Sequence, residues 1–183
     1  MKKLARSGLV ALVAIGLLSC ESRTDRRDTG GVLLVVSTFN GLPTSVSMNT
    51  TGNQVQAGSI TIRSVLENPN SEQSDLMDVR LTTYEVTYTR LDAGKRVPPP
   101  LVSSMLGLVA HGSTTTLNNL PLLASQQLFN PPLSDLLFIN GGRDKETGST
   151  TITLGLSIRF FGKTLSGDAV STDPVGLSID FTQ

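Results

Sequence analysis

The sequence predicts an all-β protein, a two-sheet antiparallel sandwich with a short helical segment near residues 121–139. Three observations carry that expectation. Ile152, Leu154, Leu156, Ile158 and Phe160 take every second position, and Val175, Leu177, Ile179 and Phe181 repeat the pattern; this is the period of strands with one face in a core and the other in water. Trp is absent and aromatics make up 4% of the chain, while Thr, Ser, Val, Gly and Pro abound, a composition that suits strands and turns better than a helical bundle. Strand-like segments also follow one another without helices between them, which excludes a βαβ architecture.

The elements follow in order. Val32-Leu33-Leu34-Val35-Val36 is a continuous apolar run ahead of the turn Asn40-Gly41-Leu42-Pro43, and reads as a buried first strand. Ile60, Ile62 and Leu66 flank Thr61 and Arg63 in a second strand that closes at Asn68-Pro69-Asn70, a turn-favouring triplet. From Asp78 to Arg90 the inward set changes parity: Val79 and Leu81 are odd, Tyr84, Val86 and Tyr88 even. A bulge near Thr82-Thr83 accounts for the change, with the tyrosine rings over the core and their hydroxyls at its rim. Pro98-Pro99-Pro100 offers no backbone donors and reads as a stiff crossover between sheets.

Two short strands, Leu101 to Val109 and Ser113 to Leu120, are expected around Gly112. In 121–139, Asn130 is placed to cap a helix starting at Pro131, with Leu133, Leu136 and Leu137 on one side. That segment reads as a plug over one end of the sandwich; the functional alternative is an apolar lid or docking surface that includes Phe129, Phe138 and Ile139. The last two strands fold back about Gly167 as a long hairpin, in which Pro174 implies an edge position or a bulge.

The N-terminus carries an address. Lys2, Lys3 and Arg6 precede an apolar run from Leu9 to Leu18 that is shorter than the ~20 residues of a membrane-spanning helix. It ends in Leu17-Leu18-Ser19-Cys20, with Leu18 where smaller residues are commoner, and it resembles the bacterial lipobox. The resemblance implies a signal peptide over 1–19, cleavage before Cys20, diacylglycerol on the Cys20 sulfur and, in many bacteria, a further acyl chain on the new amine. Two or more chains anchor a protein stably at a membrane. Cys20 is the only cysteine, so the domain has no disulfide, and acylation disposes of a thiol that would otherwise sit unpaired in an oxidising compartment. In enteric lipoproteins an Asp after the lipidated Cys retains the protein at the inner membrane; Glu21 stands there, which favours the outer membrane where the organism has one. Residues 20–30 are then the lipidated cysteine and a polar tether, and 31–183 a single β-sandwich domain.

The strand pattern is of the immunoglobulin-like or fibronectin-like type, without the Cys-Trp-Cys hallmark of true immunoglobulin domains. The stretch from Ile60 through Asn68-Pro69-Asn70 to Tyr84 and Tyr88 is somewhat similar to small sandwich domains of the water-stress and desiccation type. The chain as a whole resembles uncharacterised bacterial lipoproteins with one sandwich.

Chemistry is sparse. His111 is the only histidine and reads as a loop or strand-end residue without a catalytic role. No Gly-x-Ser-x-Gly elbow occurs, and zinc would need more His and Cys than the chain offers. Asp75 with Asp78, and Asp144 with Glu146, could offer oxygens to calcium but lack the spacing of a strong loop and read as solvated turns. Three of the 15 basic residues precede Cys20 while all 15 acidic ones follow it, so the mature chain is acidic and no nucleic-acid partner is expected. The sequence therefore points to a non-enzymatic envelope lipoprotein without cofactor, bound to the membrane through Cys20 and to a protein or envelope-polymer partner through its domain. The alternative is a carrier of an apolar ligand held between the sheets.

Overall fold

A computed structural model describes residues 31–183 apart from 53 and 71. The predicted signal peptide, the lipidation site Cys20 and the tether lie outside the described residues. The strands are β1 (Val32–Asn40), β2 (Ser45–Ser47), β3 (Val55–Leu66), β4 (Val79–Arg90), β5 (Leu101–Val109), β6 (Thr114–Leu123), β7 (Thr151–Thr164), β8 (Ala169–Ser171) and β9 (Val175–Thr182). A single-turn helix α1 (Ser125–Leu128) and 3-10 turns at Asp75–Met77, Leu133–Leu136 and Phe138–Asn140 complete the chain.

Two sheets pack face to face, one in the order β1-β3-β6 and the other β2-β9-β7-β4-β5, with β8 on β7. In immunoglobulin lettering this is A-B-E against A′-G-F-C-C′, the first strand switching sheets so that β2 pairs parallel with β9. The expected all-β sandwich is what forms, with one parallel pair among otherwise antiparallel ladders. β4 and β7 supply the largest inward set: Val79, Leu81, Tyr84, Val86 and Tyr88 lie side by side with Ile152, Leu154, Leu156, Ile158 and Phe160 on one face of the sheet, all buried. Burying each such side chain contributes roughly 1.5–3 kcal/mol. The parity change in β4 is a bulge, with the register shifting between Leu81 and Thr83 against both neighbours. The tyrosine hydroxyls donate across the sandwich to β6, Tyr84 to the Pro121 carbonyl (3.0 Å) and Tyr88 to the Leu122 carbonyl (2.8 Å).

Three expectations are corrected and one is borne out. The first strand is not buried on both sides: β1 is the edge of the smaller sheet, with Val32 and Leu34 inward and Val35 exposed, because one face of a sandwich always meets water. The triproline does not cross between sheets; it joins β4 to β5, neighbours in one sheet, and the crossings fall instead at 41–44, 48–54, 67–78, 110–113 and 124–150. The C-terminal hairpin about Gly167 forms, its second arm interrupted at Pro174 as expected. β8 pairs with Phe161–Lys163 and, after Pro174, β9 continues along the same side of β7 from Ile158 to Thr151. Thr172 lies in the gap and bridges to Leu34 of the other sheet. Finally, Asn130 does not cap a helix from Pro131. Pro132 has no N–H for an Asn130 side chain to accept from, and the Asn130 amide instead donates back to Gln126 O (2.8 Å).

The registers give the sandwich two distinct ends. Gly31 enters beside Met77, whose Cε lies 3.6 Å from where a Gly31 Cβ would sit. The starts of β1, β4 and β6 and the ends of β3, β5 and β7 gather at this entry end. At the other end, β4 and β6 finish, β3, β5 and β7 begin, and the 124–140 segment folds across.

Candidate functional site

At this cap end, Leu128, Leu133 and Leu136 are fully buried, which is the plug expected for 121–139. An ion-pair network holds the plug. Arg90 continues the inward parity of Tyr84, Val86 and Tyr88, so the last residue of β4 carries a guanidinium to the edge of the core, where its side chain is 3% exposed. It grips Asp92 with Nε and Nη2 (2.6 and 2.9 Å) and reaches Asp144 with Nη2 (2.9 Å). Gly94 is required beside it, since a Cβ there would overlap the Arg90 guanidinium. Arg96 then bridges Asp135 of the cap (2.8 Å) and Asp144 (3.4 Å), while Lys145 reaches Asp135 from outside (3.1 Å).

Asp144 is the hub of this network and corrects the expectation of a solvated turn. It is fully buried. Burial alone would raise its pKa, but hydrogen bonds from Arg90, Thr147 and the Glu146 N–H outweigh burial and push it down to about 2. Its neighbour Glu146 accepts from the Lys95 and Arg96 N–H groups (2.8 and 3.0 Å), tying loop 91–100 to loop 141–150; these bonds hold the Glu146 carboxyl below its usual range. Both carboxylate oxygens of Asp144 accept from protein donors and Glu146 Oε2 accepts from two backbone N–H groups, so the geometry is that of a lock and not of a calcium loop. Sequence reasoning missed Arg90, Asp92, Arg96 and Asp135. The available signal was Arg90 itself, a cation at an inward position, which demands a buried partner.

Outside the lock the cap exposes large apolar side chains: Phe129 at 45%, Phe138 at 69% and Ile139 at 90%. They are held in place. The Phe138 N–H donates to Asn49 Oδ1 (3.1 Å), and the Asn140 amide donates to Ser134 O (2.8 Å).

At the entry end, Asp75, Asp78 and His111 bring their donor atoms within 4.8 Å of one another, a grouping the sequence did not reveal. His111 follows β5 as expected and clasps the start of β4. Its N–H (2.9 Å) and its Nδ1 (2.7 Å) both meet Asp78 Oδ1, and the two bonds hold the Asp78 carboxyl below its usual range. Two adjoining clefts of about 350 and 260 Å³ open nearby on the outer face of the larger sheet. Thr82 and Lys163 line both; Arg159, Phe161 and Ser171 line one, Arg80 and Leu165 the other.

What these features define is a β-sandwich module with a locked, apolar-tipped cap at one end and a cationic cleft toward the other. No family model, curated protein or solved structure matches the chain.

Proposed function

We propose that the chain is a lipid-anchored envelope protein that acts by binding and not by catalysis. Cys20 carries the acyl chains, and the cap presents a contact surface to a protein or envelope-polymer partner. The observation behind this reading is the polarity of the sandwich. The chain enters at one end, ten residues after Cys20, while Phe129, Phe138 and Ile139 stand exposed on a rigid platform at the opposite end. A surface ordered before contact loses less entropy on binding, which gives the network around Asp144 a purpose. The carrier alternative has less support, because Leu128, Leu133 and Leu136 fill the region such a ligand would enter.

The test uses the full chain produced in a bacterium. Mass spectrometry of the mature N-terminus is expected to find diacylglyceryl on Cys20 and residues 1–19 removed; an unmodified Cys20 or a retained leader overturns the anchor. A photo-crosslinking residue at Ile139 is expected to capture a protein or envelope polymer, while the same probe at Glu67, on the entry end, captures neither. Equal capture from both positions overturns the assignment of the cap as the contact surface.

A further inference from the structure

We propose that the cleft on the outer face of β4, β7 and β8 binds the phosphate group of an anionic lipid, so that the entry end leans on the bilayer to which Cys20 anchors it. This rests on the anchor reading above.

The cations lining these clefts make no ion pair among the described residues. Arg80 and Lys163 are directly opposite each other in the β4–β7 register, a like-charge pairing that destabilises a sheet unless something neutralises it. Among the described residues neither makes an ion pair, and nor does Arg159. Glu85 is opposite Arg159, yet Arg159 donates instead to Thr172 O (3.2 Å) and Ser171 Oγ (2.9 Å), with its guanidinium 5.2 Å from the Phe161 ring centre. Those contacts use Nε and Nη2 and fix the fork while Nη1 stays available, the arrangement that suits a phosphate oxygen. Thr82 and Ser171 add hydroxyls to the lining. The domain has more acidic than basic residues, so three cations without an ion pair along two adjoining clefts are a local feature and not a general surface charge.

Position commits the phosphate to a lipid. Leu108 is opposite Arg80 on β5, so Leu108, Arg80 and Lys163 form one row across the outer face at the entry end. Leu76, Leu106, Leu108 and Leu165 are exposed around that row. Leu76 and Leu165 are neighbours there: the Leu165 N–H donates to Asp78 O and the Ser166 N–H to Leu76 O. Only ten residues separate Cys20 from Gly31, so an anchor at Cys20 keeps this rim near the headgroups. Cations beside aliphatic side chains match an interface where phosphate overlies acyl chain.

The mature chain contains three lysines, Lys95, Lys145 and Lys163, and the first two lie at the cap end. The protein would be incorporated into vesicles of phosphatidylcholine alone and of phosphatidylcholine with phosphatidylglycerol, then treated with an amine-acylating reagent. Lys163 is expected to react about fivefold more slowly in the anionic vesicles, with Lys95 and Lys145 unchanged. Arg80→Ser, at an exposed position, is expected to remove most of that difference. Uniform reactivity in both vesicle types overturns the proposal. Equal protection of Lys163 by inorganic phosphate in neutral vesicles overturns the lipid as its source. Flotation with neutral vesicles reports the acyl anchor separately: a chain that floats but shows no Lys163 difference loses only this inference, and a chain that floats with neither vesicle loses both.

Discussion

The two ends of the sandwich hold their charges in opposite ways. At the cap end Arg90 and Asp144 are withdrawn from water, and Asp144 alone receives five donors: Arg90, Arg96, the Glu146 N–H, and the N–H and hydroxyl of Thr147. At the entry end the Asp78–His111 pair remains partly in water, and Arg80 and Lys163 make no ion pair among the described residues. The difference follows from desolvation. A buried charge is tolerable only where nearly every donor and acceptor is matched, so the charges of the cap end are saturated and take no further ionic ligand. An exposed cation keeps its hydration at little cost and can exchange it for a ligand's oxygen. One set of charges is built to hold the shape of the cap beneath its apolar tip; the other is left able to bind an anion.

Unlocking the cap is the most direct way to break this contrast. Asp144→Ala leaves Arg90 and Arg96 short of a buried partner and is expected to cost about 3–5 kcal/mol, or roughly 10 °C in Tm for a domain of this size. His111→Ala removes a pair that water already screens and is expected to cost less than about 1 kcal/mol. Urea unfolding of both variants measures the gap. Equal losses would mean that the two ends are stabilised alike.

Acid provides a second comparison without mutation. The Asp144 carboxyl titrates at about 2 in the folded chain, below its ordinary value, so its contribution is complete above that ordinary value and is lost as pH falls through it toward 2. The sign is that of a depressed carboxylate, and the loss is about 2 kcal/mol over the window. Hydrogen exchange followed from pH 5 downward, corrected for the intrinsic rate, is expected to open loops 91–100 and 141–150 before the β4–β7 ladder. Simultaneous opening of both would assign acid sensitivity to the whole sandwich.

How much of this was legible in the sequence depends on the range of the interaction. The strand period, the bulge at Thr82-Thr83 and the tyrosines over the core are local or parity signals, and each can be read along one strand. The corrected features are pairings at a distance. The place of β1 at an edge depends on which strands flank β3, and the route of the triproline depends on β4 and β5 being neighbours. Asp144 looked solvated because its residue type and its Gly-rich surroundings usually are; the guanidinium that buries it lies 54 positions earlier. The cationic cleft was hidden for the same reason, since Arg80, Arg159 and Lys163 meet only once β4 and β7 pair. Arg90 was the exception, a charge at an inward position whose partner could have been sought.

The smallest expected effect on stability is also the sharpest test of why the cap is locked. Phe138 and Ile139 belong to a turn with no buried residues, so Phe138→Ser combined with Ile139→Ser removes apolar surface that already faces water. Such a change typically moves folding stability by no more than about 0.5 kcal/mol, and thermal unfolding is expected to coincide with that of the parent chain. Crosslinking from Phe129, also exposed on the cap, is nonetheless expected to fall away, because exposed aromatic and aliphatic anchors are the groups whose burial drives association. A large drop in Tm would show instead that these side chains are part of the plug, and the saturated network beneath them would then have only a fold to protect.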